Sequence, residues 1–166
     1  MPSKKKTTRK PEARRKTTPS RPSPKRTSKT SAKGGAGRAP QGLKLASASP
    51  SLTVDDVEAS LAWYTEVLGF RAKERWESDG KLAGVEVAAG SVSFYIGQDD
   101  WKKGRDRAKG EGFRVYCTTT QDVDALADGI RSRGGRLFEE PHDEPWGGRS
   151  FSVADPDGFK ITITKE

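Results

Sequence analysis

The 166-residue chain has few side chains capable of covalent or metal chemistry: one histidine, His142, and one cysteine, Cys117. A lone cysteine builds neither an intramolecular disulfide framework nor a thiolate metal site, and as a small buried residue it fits a reducing, cytoplasmic setting. His142 falls in the loop before Pro145-Trp146, where a solitary histidine is ordinarily solvated. No glycine-rich phosphate loop follows a strand, and no nucleophile sits at an elbow. What remains suits contact rather than conversion. Trp76, Tyr95, Tyr116 and Trp146 can stack, Arg114 and Lys160 can meet carbonyl or anionic groups, Glu86 is the one plausible carboxylate, and Thr162 adds a hydroxyl.

These residues lie on a repeated unit. Asp56-Val57-Glu58-Ala59 opens a stretch ending at Gly69, and Asp122-Val123-Asp124-Ala125 opens one ending at Gly135. Val57, Leu61, Tyr64 and Leu68 recur at helical spacing in the first, as do Val123, Leu126 and Ile130 in the second, with an aspartate as N-cap and a glycine as stop. A strand-like run precedes each helix, SLTV and GFRVYCTT, and three extended segments follow each. The order β-α-β-β-β, twice, predicts an α+β fold of two modules, about residues 46–110 and 111–166, in a domain spanning 46–166.

One helix covers one side of each four-stranded sheet, so the other side faces a cavity or a partner. Alternation turns Val92, Phe94, Ile96, Val115, Cys117, Phe151, Val153, Ile161 and Ile163 toward the helices. The opposite face then carries Ser49, Ser51, Thr53, Glu86, Ser93, Tyr95, Arg114, Tyr116, Thr118, Ser150, Ser152, Lys160, Thr162 and Thr164, a hydroxyl-rich lining appropriate to a cleft. An unpaired buried Arg114 is costly, so it either pairs with Glu86 or waits for a ligand.

Two such units, with DVEASLAWYTEVLGF at the first helix and PWGGRSFSVADPDGFKITI at the end, resemble the glyoxalase, bleomycin-resistance and extradiol-dioxygenase proteins, the vicinal oxygen chelate superfamily. In its metal-dependent branches, the resemblance implies ligands at positions held here by Ser49, Tyr95, the stretch Gly112 to Arg114, and Thr162. None is a histidine or carboxylate, and three N or O ligands are normally needed. The resemblance is therefore to the metal-free, bleomycin-resistance-like branch, and no metal or cofactor is expected. That branch implies drug sequestration, a homodimer with which Pro50 is associated, and a stacking role for Trp146 opposed by Trp76. Trp146 has a second reading, as a plug at the end of the sheet. The alternatives to sequestration are a divergent glyoxalase or lyase-type enzyme and a module tethered to nucleic acid.

Tethering rests on charge. Residues 1–45 hold 15 Lys or Arg against one Glu, and residues 46–166 hold 16 against 22 acids. With no Val, Ile, Leu, Phe, Tyr or Trp before Leu43, the arm cannot offset its ordering entropy and is expected to be disordered. Its spaced cations suit nonspecific binding of nucleic acid or another polyanion, or simply solubility. No window approaches the roughly 18 apolar residues of a membrane span, and no apolar signal region opens the chain.

Overall fold

The structure, a computed structural model, describes residue 43 and residues 45–166. The basic arm, with its expected disorder, otherwise lies outside the described residues. The described elements run β1 (Ser51–Val54), α1 (Val57–Ala62), a π-helical turn (Trp63–Val67), β2 (Arg71–Ser78), β3 (Lys81–Ala89) and β4 (Val92–Gln98). The second module follows as β5 (Arg114–Thr119), α2 (Val123–Ser132), β6 (Leu137–Asp143), β7 (Arg149–Ala154) and β8 (Lys160–Lys165). Each module forms its own sheet, ordered β1-β4-β3-β2 and β5-β8-β7-β6, with the first strand parallel to the last and the others antiparallel.

Local chemistry accounts for the helix starts. The Asp56 carboxylate accepts the amide hydrogens of Glu58 and Ala59, both at 3.0 Å, and Asp122 accepts that of Ala125 at 2.8 Å. The first helix is expected to run regularly to Gly69, but it widens into a π turn at Trp63, where Thr65 Oγ1 donates to the Leu61 carbonyl at 2.8 Å. In the second, the left-handed stop is Gly134, one residue before the expected Gly135. Gly135 instead presses against the Ile130 and Val67 side chains, where a Cβ would come within 2.6 Å.

The helix-facing sides of both sheets close on one core. Leu52, Val54, Val85, Val87, Phe94 and Ile96 from the first sheet join Phe151, Val153 and Ile161 from the second, with Leu61, Tyr64, Val123, Ala127 and Ile130 from the helices. Three aromatics brace it, with ring centroids of Tyr64, Phe70 and Phe94 5.4 to 6.0 Å apart. Polar bonds join the modules on this same side: Tyr64 Oη donates to Asp155 at 3.1 Å, Arg133 Nε to the Val67 carbonyl at 2.8 Å, and the Asp55 amide to Asp157 at 2.7 Å. The two polar faces consequently lie on the far sides of their sheets, each turned away from the shared core. No helix among the described residues is long and apolar enough to cross a membrane.

Candidate functional site

On the first module, the polar face carries an aromatic pair. Trp76 on β2 stands opposite Gly84 on β3, which stands opposite Gly97 on β4. Without side chains at those positions the indole settles onto the sheet: a Cβ on Gly84 would lie 3.3 Å from the Trp76 ring and 3.1 Å from the Ile96 carbonyl. Tyr95 flanks it, with ring centroids 5.9 Å apart and planes tilted by 45°. Both rings remain about 40% exposed. Glu86, opposite Tyr95, accepts from Lys73 at 3.3 Å, so it does not pair with Arg114. Ser49 and Ser93 share a hydroxyl hydrogen bond of 3.2 Å.

The second module's polar face is built differently. Tyr116, Thr162, Ser152 and Glu139 stand in register across β5, β8, β7 and β6. Arg114, two residues before Tyr116, reaches diagonally across the row. Its Nη1 donates to Glu139 Oε2 at 3.0 Å and to Thr162 Oγ1 at 3.2 Å, and its Nη2 donates to Glu139 Oε1 at 3.2 Å. Ser152 donates to Glu139, and the Ser152 and Thr162 hydroxyls are 2.9 Å apart. Alternation alone places Ser150, Ser152 and Thr162 on an open lining, but all three are buried, because Arg114, Glu139 and Glu144 roof them. The Arg114 guanidinium holds the Glu139 carboxyl below the usual carboxylate range, aided by Ser152, and Glu139 raises Arg114 in return.

Glu139 is the residue that alternation misses. A bulge between Leu137 and Glu139 shifts β6 by one position, bringing the carboxylate onto the polar face. Beside it, Lys160 Nζ sits 4.2 Å above the Phe138 ring. His142 also departs from expectation, lying within β6 rather than in a loop. Its Nδ1 is 2.8 Å from the Glu140 carbonyl and its Nε2 is 3.6 Å from Glu144. Trp146 occupies the β6–β7 turn, which the Gly147 amide closes onto the Glu144 carbonyl at 2.9 Å. The indole is 74% exposed and has no ring partner among the described residues, so it does not plug the sheet.

The side chains at the resemblance's metal-ligand positions already have partners of their own. Ser49 bonds Ser93, Tyr95 packs at a tilt against Trp76, and Thr162 receives a guanidinium hydrogen. Hydroxyls and a neighbouring fixed cation do not suit a divalent ion. Among the described residues, no group of three or more His, Cys, Asp or Glu is arranged to hold one.

Comparison with known proteins adds sequence relatives and solved folds. The chain is 29% identical over 114 residues to a lactoylglutathione lyase of Arabidopsis thaliana, covering 66% of this chain and 40% of that protein. It therefore spans about two fifths of the plant relative's length. It is 30% identical over 118 residues to a probable lactoylglutathione lyase of Synechocystis, covering 68% of this chain and 88% of that one. A Sphaerobacter thermophilus member of the glyoxalase/bleomycin resistance protein/dioxygenase superfamily superposes with a TM-score of 0.61 at 26% identity, over 75% of this chain and all of that one. The family model of the Glyoxalase/Bleomycin resistance protein/Dioxygenase superfamily matches residues 45–163, and the chain belongs to that superfamily.

Proposed function

We propose that residues 46–166 bind a flat, aromatic small molecule and hold it without converting it, a sequestration role of the bleomycin-resistance kind. The observation that carries this reading is the Trp76–Tyr95 pair on its glycine floor, a stacking surface of which about 40% of each residue stays exposed. Tyr116, Arg114, Glu86, Thr162 and Trp146 complete the contact set. No metal or cofactor takes part in this reading, since the committed hydroxyls and guanidinium leave no donor set for one.

Each polar face is half a cleft, turned away from its counterpart in the same chain. A homodimer resolves this by laying the first module of one copy against the second module of another, setting Trp76 and Tyr95 opposite Arg114, Tyr116 and Trp146. The compartment in this reading is the cytoplasm, in keeping with the unpaired Cys117. A screen of planar aromatic compounds by tryptophan fluorescence and thermal shift tests the proposal. Hits should weaken about tenfold or more in Trp76→Ala, roughly the worth of one lost stacking contact. Hits indifferent to Trp76, or none across a broad library, would sink it.

A second reading, a lyase-type enzyme, is favoured by the names of the curated relatives. About one equivalent of divalent metal per chain, lost on Glu86→Gln, would support it and remove the metal-free reading. The basic arm supports a further role, nonspecific attachment to nucleic acid or another polyanion through residues 1–45, on the strength of its 15 cations.

A further inference from the structure

Resting on that ligand-binding reading, we infer that the second module's face selects an uncharged hydrogen-bond acceptor on the ligand, a carbonyl or amide oxygen, and that Glu139 sets this preference by neutralising Arg114. An isolated arginine in a cleft is ordinarily a carboxylate or phosphate receptor, because its planar fork matches two anionic oxygens. Here the fork is filled from within the chain. Both Nη atoms of Arg114 engage both oxygens of Glu139, at 3.0 and 3.2 Å, and a third N–H goes to Thr162. A ligand carboxylate would have to displace Glu139, whose Oε2 also accepts from Ser152.

Charge on the whole face agrees. Arg114 and Lys160 are the cations, the latter seated on the Phe138 ring, and Glu139 and Glu144 are the carboxylates, the latter accepting from Ser150 at 2.6 Å. His142, 3.6 Å from Glu144, is the remaining titratable neighbour. Two charges of each sign leave the face neutral while His142 is neutral. Its hydrogen-bonding capacity is not balanced in the same way. The Thr162 and Ser152 hydroxyls are buried and bonded to each other, and Glu139 accepts three hydrogens. Of the five Arg114 N–H groups, three go to Glu139 and Thr162, and the Tyr116 hydroxyl, on a half-exposed ring, lies next to the guanidinium as a further partner; a hydroxyl that accepts there keeps its own O–H to donate. A surface with zero net charge and an exposed hydroxyl donor is complementary to an acceptor without charge.

Glu139 is thus a positioning residue, acting on the ligand through Arg114. Two planar probes of nearly equal shape, naphthamide and naphthoate, separate the possibilities by calorimetry on the full chain. Wild type should bind the amide about tenfold more tightly than the carboxylate, the usual scale for one mismatched charged contact. Glu139→Gln, which leaves Arg114 unneutralised, should move that ratio about tenfold or more toward naphthoate. A purely structural role for Glu139 would weaken both probes equally and leave the ratio fixed. That outcome, or a wild type preferring naphthoate, overturns the inference while the aromatic-binding reading stands. Failure of both probes to bind wild type overturns the inference, and the aromatic-binding reading falls with it only if the broad library of planar compounds also gives no hit. Should Glu139→Gln fail to fold, the double variant Arg114→Gln with Glu139→Gln serves. It should lose affinity for the amide with no gain for the carboxylate, and a gain for the carboxylate would overturn the inference.

Discussion

Asp155 shows how one carboxylate can tie two modules together and leave a signature in pH. Its Oδ1 accepts the amide hydrogens of Asp157 at 3.0 Å and Phe159 at 2.8 Å, closing the Asp-Pro-Asp-Gly turn, while its Oδ2 accepts the Tyr64 hydroxyl from the other module. The residue is 5% exposed, and burial pushes its pKa from 3.8 to about 6 against the pull of those hydrogen bonds. A carboxyl whose folded value lies above its unfolded one is stabilising in its protonated form. Its contribution is complete below about pH 4 and disappears as pH rises through 6, a loss of about 3 kcal/mol over that window. Asp124 and Glu139, held low by their arginine partners, act in the opposite sense and lose stabilisation in acid. The comparison that isolates Asp155 is therefore wild type against Asp155→Asn, by urea unfolding from pH 4 to 7. The difference in stability should change by about 3 kcal/mol in favour of the variant as pH rises, and a pH-independent difference would contradict the assignment. Cys117 gives a second residue-scale expectation. Burial pushes its thiol up, so at pH 8 it should alkylate more slowly than free cysteine, as a timed iodoacetamide reaction would read.

At the scale of elements, strand and helix order was legible because alternation and caps are local. Phe94 and Ile96 against Ser93 and Tyr95 announce β4, and Asp56 and Asp122 announce the helices. Among the features that were not legible, two position charged side chains. The β6 bulge that delivers Glu139 to Arg114 leaves no mark in Arg136-Leu137-Phe138-Glu139-Glu140, because register is set by the partner strand. The segment between β4 and β5 likewise reads only as a run of mixed charges, since its order comes from Asp99 within it together with the distant Asp55 and Asp157. Lys109, with a side chain 7% exposed, pairs with Asp55, sits 3.0 Å from Asp99 and 3.6 Å from Asp157, and lies 4.9 Å from the Trp101 ring centroid. Asp99 is lowered to about 2, first by the Trp101 amide and then by Lys109 and Arg107. Gly110 completes the clamp at φ +70°, so close to Gly158 that a Cβ would lie 2.2 Å from its carbonyl oxygen. Lys109→Met should cost about 2–3 kcal/mol in urea unfolding, below the range for a wholly enclosed pair because Asp55 stays solvated. Lys102→Met, which removes only an exposed contact with Asp100, should leave the midpoint in place. Equal effects from the two would show that the clamp has no special weight.

For the whole molecule, the sequence separates two charges of opposite sign, and the proposed attachment to a polyanion depends on that separation. In that proposal the 15 cations among residues 1–45 would attract a polyanion, whereas residues 46–166, with 22 acids against 16 cations, would repel one. A nucleic acid should therefore contact the arm alone and leave the aromatic and arginine faces available to a small molecule. If about half of the arm's cations each release a counterion, the logarithm of the DNA association constant should fall with the logarithm of salt at a slope of about −6 to −7. Fluorescence anisotropy with a labelled duplex, from about 50 to 200 mM salt, reads that slope directly. A chain starting at Ala46 should bind DNA negligibly while keeping the same affinity for any aromatic ligand found in the screen. Equal DNA binding by the two chains would assign the interaction to the domain and reduce the arm to a solvated extension. Weaker small-molecule binding without the arm would instead place the arm's residues at the cleft, contradicting the division of labour that the charges imply.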